Sequence, residues 1–108
     1  VAEVADDAEE RQLGLAGRDE VPPGAGMLFV FEGPVTARFT MQDTLVPLSI
    51  VWADDGTVVG LAEMPSCPPG TNCPTYGPDR PFTHALEAAA GTFTDAGVGV
   101  GDPFVIGE

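Results

Sequence analysis

Apolar residues in this chain come in short runs broken by glycine and proline, too brief for long helices and spaced as strands are. Met27-Leu28-Phe29-Val30-Phe31 is apolar on both faces, as a central, doubly covered strand is, and Gly33-Pro34 is expected to end it. Thr36 to Met41 alternates, with Ala37, Phe39 and Met41 on one side and Thr36, Arg38 and Thr40 on the other, the pattern of a half-buried strand. Pro47 cannot donate to a ladder and marks a break; Leu48 to Ala53 is the next strand. Asp55-Gly56 is a hairpin turn that returns Thr57 to Met64 as its partner. Val1 to Val4 makes a short first strand. Asp6 or Asp7 caps a helical turn with Glu9 and Glu10 in its first turn, Leu13 as its apolar anchor, Gly14 as its stop and Leu15 turned inward. Asp6-x-x-Glu9 has the form of a capping box. Val21-Pro22-Pro23-Gly24 is an extended turn, and Pro65 to Pro81, with six prolines, is a long loop. Phe82 to Gly91 admits two readings: helix by its alanine, leucine and glutamate content, or strand by alternation of Phe82, His84, Leu86 and Ala88. Thr92 to Ala96 is a helical turn closed by Gly97, Gly101-Asp102 a turn, and Phe104-Val105-Ile106 a last strand.

The expected fold class is therefore mainly β: a small antiparallel β-sandwich or partly open barrel with one or two short helical turns. The chain's 108 residues make one domain, residues 1–108. A chain of that size buries roughly 65% of its unfolded surface, enough for a single core.

Charge narrows the partners. Seventeen acidic residues face four arginines and no lysine, for a net charge of −13. Such a surface repels phosphate backbones and anionic membranes, so nucleic acid is excluded as a partner. No apolar run reaches the ~18 residues a membrane helix requires, so no transmembrane segment is expected in this chain. No signal peptide is visible in these residues, and from the strand-like start a trimmed mature domain is expected.

Cys67 and Cys73 flank a proline- and glycine-rich loop. Their spacing is poor for zinc, and His84, the single histidine, is distant in sequence. A local disulfide is the favoured reading, because it staples a loop that cannot form regular structure; it implies an oxidising compartment and an extracytoplasmic protein, secreted or surface-anchored. The alternative is a free or redox-active thiol pair, which lacks the Cys-x-x-Cys spacing and a neighbouring base.

The ordered set of motifs resembles the bacterial and archaeal family called domain of unknown function 192. Arg11, Gly14-Leu15-Ala16-Gly17-Arg18, Gly26 to Phe31, Phe39 to Thr44, Val46-Pro47-Leu48-Ser49-Ile50, Asp55-Gly56, Cys67, Cys73, Tyr76, Ala85-Leu86-Glu87 and Gly101-Asp102 follow the family's order over nearly the whole chain. The resemblance implies a small mainly-β sandwich, commonly exported or lipid-anchored, with no established substrate or cofactor. It also tips residues 82–91 toward strand. The chain departs from the family pattern where that pattern has Met, Trp, Lys, Asn and Asp, with Ala16, Thr40, Gln42, Asp43 and Ser49 respectively.

Candidate chemistry is sparse. Gln42, Asp43 and Thr44 offer an amide, a carboxylate and a hydroxyl at one strand end, or else simply cap their own turn. Arg11 and Arg18 either pair with carboxylates or recognise a ligand anion through their forked donors. Glu87, if inward, needs a partner such as Arg11 or Arg18, or has a raised pKa and acts as acid or base. Asp54 and Asp55 read as hairpin residues and His84 as a packed or surface histidine. Met27, Met41 and Met64 read as core rather than soft-metal ligands. Asp6-Asp7 and Glu9-Glu10 do not follow a calcium loop. No nucleophile elbow or triad is present, and no metal or cofactor is called for. The expectation is an exported binding or interaction module. Its shallow site comprises Arg11, Arg18, Gln42, Asp43, Thr44, Tyr76 and Glu87, lies under the stapled loop with Trp52 nearby, and takes a small molecule, glycan or protein. The alternatives are a structural accessory domain and a hydrolase using Glu87 or Asp43 with an arginine.

Overall fold

The computed structural model describes residues 2–18, 20–22 and 24–104. Along the chain come β1 (Ala2–Ala5), α1 (Ala8–Leu13), β2 (Gly26–Val35), β3 (Phe39–Thr40), β4 (Leu48–Asp54), β5 (Thr57–Met64), β6 (Thr75–Tyr76), β7 (Phe82–Ala89) and α2 (Thr92–Asp95). Five strands form one open sheet in the order β1-β2-β7-β4-β5, and β3 pairs with β6 in a two-stranded sheet. All pairings are antiparallel except β1 with β2, which is parallel. The fold is mainly β with two short helices, as the alternating pattern predicts.

The Asp55-Gly56 turn has both φ angles positive, 51° and 73°, the left-handed pair that a tight hairpin between β4 and β5 demands. Of residues 82–91, Phe82–Ala89 resolve to strand and Gly91 caps α2. β7 sits in the middle of the sheet with ladders to β2 and β4 on both sides, and those ladders outweigh helical propensity. Cross-strand neighbours share a face, so Met27 and Phe29 of β2, Ala85 and Glu87 of β7, and Ile50 and Trp52 of β4 line one side. That side is the core. Ala85, not His84 or Leu86, is fully buried there, which shifts the predicted face by one residue. Phe82 still reaches the core, where its ring lies 5.5 Å from Phe31 and 6.4 Å from Trp52. The register shift between Val30 and Val35 of β2, opposite this end of β7, accommodates it.

That irregularity also explains why Pro34 does not end β2: the strand continues to Val35 through the bulged stretch, where a missing N–H is tolerated. The predicted strand over Thr36 to Met41 shortens accordingly to Phe39–Thr40, with Ala37 and Arg38 exposed. On the opposite face α2 packs against β4. There Ser49 is fully buried and its hydroxyl donates to Glu63 at 2.5 Å, while Glu63 accepts from the Gly91 amide at 2.8 Å. The turn after Val98 bonds to the start of β5 through Val58 N to Asp102 O at 2.8 Å and Gly101 N to Val58 O at 2.9 Å. Val1, Pro23 and most of the predicted last strand, Val105 and Ile106, lie outside the described residues.

Candidate functional site

Register alone sets Glu87 between Met27 and Ile50, on the apolar face of the central strand. The side chain is only 4% exposed. Burial among apolar neighbours pushes its carboxyl pKa from 4.5 up to about 7, with no charge partner among the described residues to oppose the shift. Neither Arg11 nor Arg18 is the partner that an inward glutamate calls for: among the described residues the ion pair found is Arg18 with Glu3 at the sheet edge.

Above Glu87 lies a cavity of about 280 Å³. Its walls come from three places in the sequence. The first is the end of α1 and the turn after it. Asp7, not Asp6, caps this helix by accepting from the Glu10 amide at 2.8 Å, and Glu10 reaches back past the cap to accept from the Asp6 amide at 3.3 Å, so the predicted Asp6-x-x-Glu9 box is not the one used. Asp6, Asp7 and Glu10 thus cluster as a cap. Leu13, the predicted anchor, is 65% exposed at the cavity edge, and Leu15 alone plugs the core from this segment. Gly14 closes the helix directly over the acid: a Cβ there would stand 3.4 Å from Phe29 Cζ and 4.0 Å from Glu87 Oε1. The second wall is aromatic, Phe29 and Phe31 of β2 with Phe39 of β3, and Phe29 and Phe39 meet edge-to-face at 5.1 Å. The third is the corner holding Thr40, Gln42 and Thr44.

Two cations line this cavity. Arg11, in the last turn of α1, donates to the Val30 carbonyl at 2.9 Å and lies 4.9 Å above the Phe31 ring. Arg38 donates through Nε to Thr75 Oγ1 at 3.1 Å and through Nη2 to Thr75 O at 2.8 Å. The stapled loop, through β6, thereby holds Arg38 in place. Cys67 and Cys73 are disulfide-bonded with Cα atoms 6.1 Å apart, and Cys67 N donates to Thr44 O at 3.0 Å. The staple braces the corner from behind. It does not cover the cavity as expected; no described residue of the loop lines it, because buried Cys67 packs into the core while the turn after α1 takes the covering role.

Of the predicted site residues, Arg11, Gln42, Thr44 and Glu87 come together at the cavity. Arg18, Asp43 and Tyr76 are outside the lining: Arg18 pairs with Glu3, Tyr76 pairs with Phe39 across the two-stranded sheet, and Asp43 takes a left-handed turn at φ 62° with its carbonyl accepting from Gly17 N at 2.9 Å. Trp52 is buried in the core, its Nε1 without a hydrogen-bond partner among the described residues. Arg38 and the phenylalanine wall went unrecognised in the sequence. Arg38 was legible as one of only four cations, one residue before the Phe39 corner. Three departures from the family pattern, Ala16, Thr40 and Gln42, line the cavity, whereas Ser49 lies on the opposite face.

An open sheet whose central strand presents a buried acid to a cavity roofed by a short helix defines the class: a small cavity-bearing β-domain. The chain belongs to the domain of unknown function 192 family, described as an uncharacterized ACR, whose model matches residues 1–106. It is 31% identical to a protein of Sinorhizobium meliloti 1021 described as a candidate transcription regulator; the match covers 94% of this chain and 78% of that one with a TM-score of 0.80. A protein of unknown function from Novosphingobium aromaticivorans DSM 12444 is 28% identical over 94% of this chain and 71% of its own, again with a TM-score of 0.80. No curated protein matches the chain.

Proposed function

We propose that this protein is an extracytoplasmic binding domain that takes a small molecule into the cavity over Glu87. One observation carries the reading: a carboxyl only 4% exposed stands at a cavity without an ionic or hydrogen-bonding partner among the described residues. A purely structural glutamate would be paired, because an unpaired buried acid costs stability. A ligand that completes it recovers that cost. Apolar walls with a few convergent polar groups are the ordinary makeup of a small-molecule site. The Cys67–Cys73 disulfide supports the extracytoplasmic compartment. The description of the Sinorhizobium protein is not carried over, since a net charge of −13 opposes DNA binding.

The raised Glu87 pKa also fits a general acid, the hydrolase reading. The cavity lining holds no second carboxylate among the described residues, so the acid has no partner base there, and binding is preferred.

The test is a fragment screen on the oxidised protein by amide chemical shifts, repeated on Ala16→Trp, which fills the cavity from its wall. Fragments that move Gly14, Phe29 and Thr44 amides in the wild type and fail to do so in the variant support the reading. Hits that persist in a folded Ala16→Trp protein, or a diverse set with no hit, overturn it.

A further inference from the structure

Cavity charge deepens this reading and rests on it. The molecule has four arginines against seventeen acids, so an arginine without a carboxylate partner is unexpected. Among the described residues Arg11, Arg38 and the exposed Arg80 have no carboxylate partner, and the first two line one cavity. Neither has spent all its donors. A guanidinium offers five N–H groups; Arg11 gives one bond to Val30 O, and Arg38 gives two to Thr75. At the floor of the same cavity Glu87 stands alone. Neither arginine forms an ion pair with Glu87 among the described residues, so the cavity holds opposite charges that do not satisfy each other. Phe29, Phe31 and Phe39 line the same cavity.

We propose that the cavity binds a small zwitterion, an amino acid with an apolar or aromatic side chain: its ammonium meets Glu87, its carboxylate meets Arg11 and Arg38, and its side chain lies on the phenylalanine wall. Each pole supplies what the other lacks. An ammonium brought to Glu87 neutralises a carboxylate that no described residue neutralises, and a carboxylate at Arg11 and Arg38 takes up forked donors that no acid among the described residues occupies. The two charges cancel within the ligand, so the chain's overall negative field, which would repel a plain anion, gives the zwitterion no net repulsion. A volume of about 280 Å³ lies at the small end of ligand pockets and suits a single metabolite rather than a peptide or glycan chain.

The experiment compares three probes of one shape at pH 8 by calorimetry and amide shifts: phenylalanine, 3-phenylpropanoate, which lacks the ammonium, and 2-phenylethylamine, which lacks the carboxylate. Phenylalanine is expected to bind at least tenfold more tightly than either analogue and to shift Gly14, Phe29 and Thr44. In Glu87→Gln the preference for phenylalanine over 3-phenylpropanoate disappears; in Arg38→Gln its preference over 2-phenylethylamine shrinks. Equal affinity for phenylalanine and either analogue overturns the zwitterion while leaving a cavity ligand in place. Silence from all three probes, with fragments of other chemistry binding at the cavity, does the same. If no fragment of any chemistry binds there, the binding reading itself falls.

Discussion

Gly26 and Glu87 meet backbone to backbone, so closely that a Cβ on Gly26 would overlap the Glu87 carbonyl oxygen. The first residue of β2 thus has no room for a side chain where it crosses β7 beside the buried acid. Glycine is there for approach rather than for an unusual dihedral. Gly26→Ala must push β2 and β7 apart. It is expected to cost about 2 kcal/mol, in the range of overpacked cores, read as a lower urea midpoint at unchanged slope. A variant as stable as wild type would show that the two backbones part freely.

Glu87 sets a pH dependence of opposite sign to that of most native carboxylates. Its folded-state pKa of about 7 lies above the unfolded value of 4.5, so the folded state holds the proton more tightly. The contribution is fully favourable below pH 4.5, erodes by about 1.4 kcal/mol per pH unit up to about 7, and is flat above. The total loss is about 3 kcal/mol. Met27, Phe29 and Ile50 around it carry no titratable group. Subtracting the profile of Glu87→Gln cancels the surface carboxylates. The variant should gain on wild type steadily between those two pH values, and parallel profiles would remove the buried charge from the account.

Much of the sheet was legible because its signals are local. Asp55-Gly56 specifies its own hairpin, and the runs on either side of it became β4 and β5. Glu87 could be read as a residue that would need a partner if inward, but whether it faces inward depends on strand parity. Parity in β7 is fixed by pairing with β2 and β4, far away in sequence. Alternation grouped Phe82 with His84, Leu86 and Ala88, but Phe82 reaches the core face from an irregular end of the strand, so the grouping could not tell which face is inward. The cavity's second cation was missed for a similar reason. Arg38 reads as one exposed position of an alternating strand, and only its grip on Thr75, 37 residues on, reveals what holds it.

Reducing the disulfide should loosen the corner as well as the loop. Closing so short a loop contributes about 2 kcal/mol by chain entropy. Cys67 also donates to Thr44, a cavity residue, so the loss reaches the site. A Cys67→Ser, Cys73→Ser protein is expected to melt lower than the oxidised wild type and to match the wild type under reductant. Faster hydrogen exchange at Cys67 would accompany the change. Equal melting of oxidised and reduced wild type would assign the corner's rigidity to packing alone.

Asp43 is a turn residue. Its φ of 62° is one that aspartate tolerates and alanine does not, and its carbonyl ties Gly17 to the corner. Asp43→Gly should therefore be near neutral, whereas Asp43→Ala should cost about 1 kcal/mol. Neither change removes a cavity group, so cavity binding by the glycine variant should match wild type. Loss of binding in Asp43→Gly with stability retained would return the carboxylate to the site.

Arg11 and Arg18 looked alike in the sequence, and the fold separates them. Arg18 pairs with Glu3 at an exposed edge, where screening leaves little net stabilisation, so Arg18→Gln should melt close to wild type and bind cavity ligands unchanged. Arg11 has three ties at once: the C-terminal turn of α1, the Val30 carbonyl and the Phe31 ring. Arg11→Gln gives up the ring contact and much of the carbonyl bond, an expected loss of about 1–2 kcal/mol. It also strips one of the two cations that line the cavity, so affinity for a ligand carboxylate should fall at least tenfold beyond any loss of stability. Arg11→Lys separates these effects. Lysine keeps the charge but not the planar fork, and should restore the melting temperature more fully than the affinity. Full recovery of both by lysine would mean that the cavity reads charge alone and makes no directed contact.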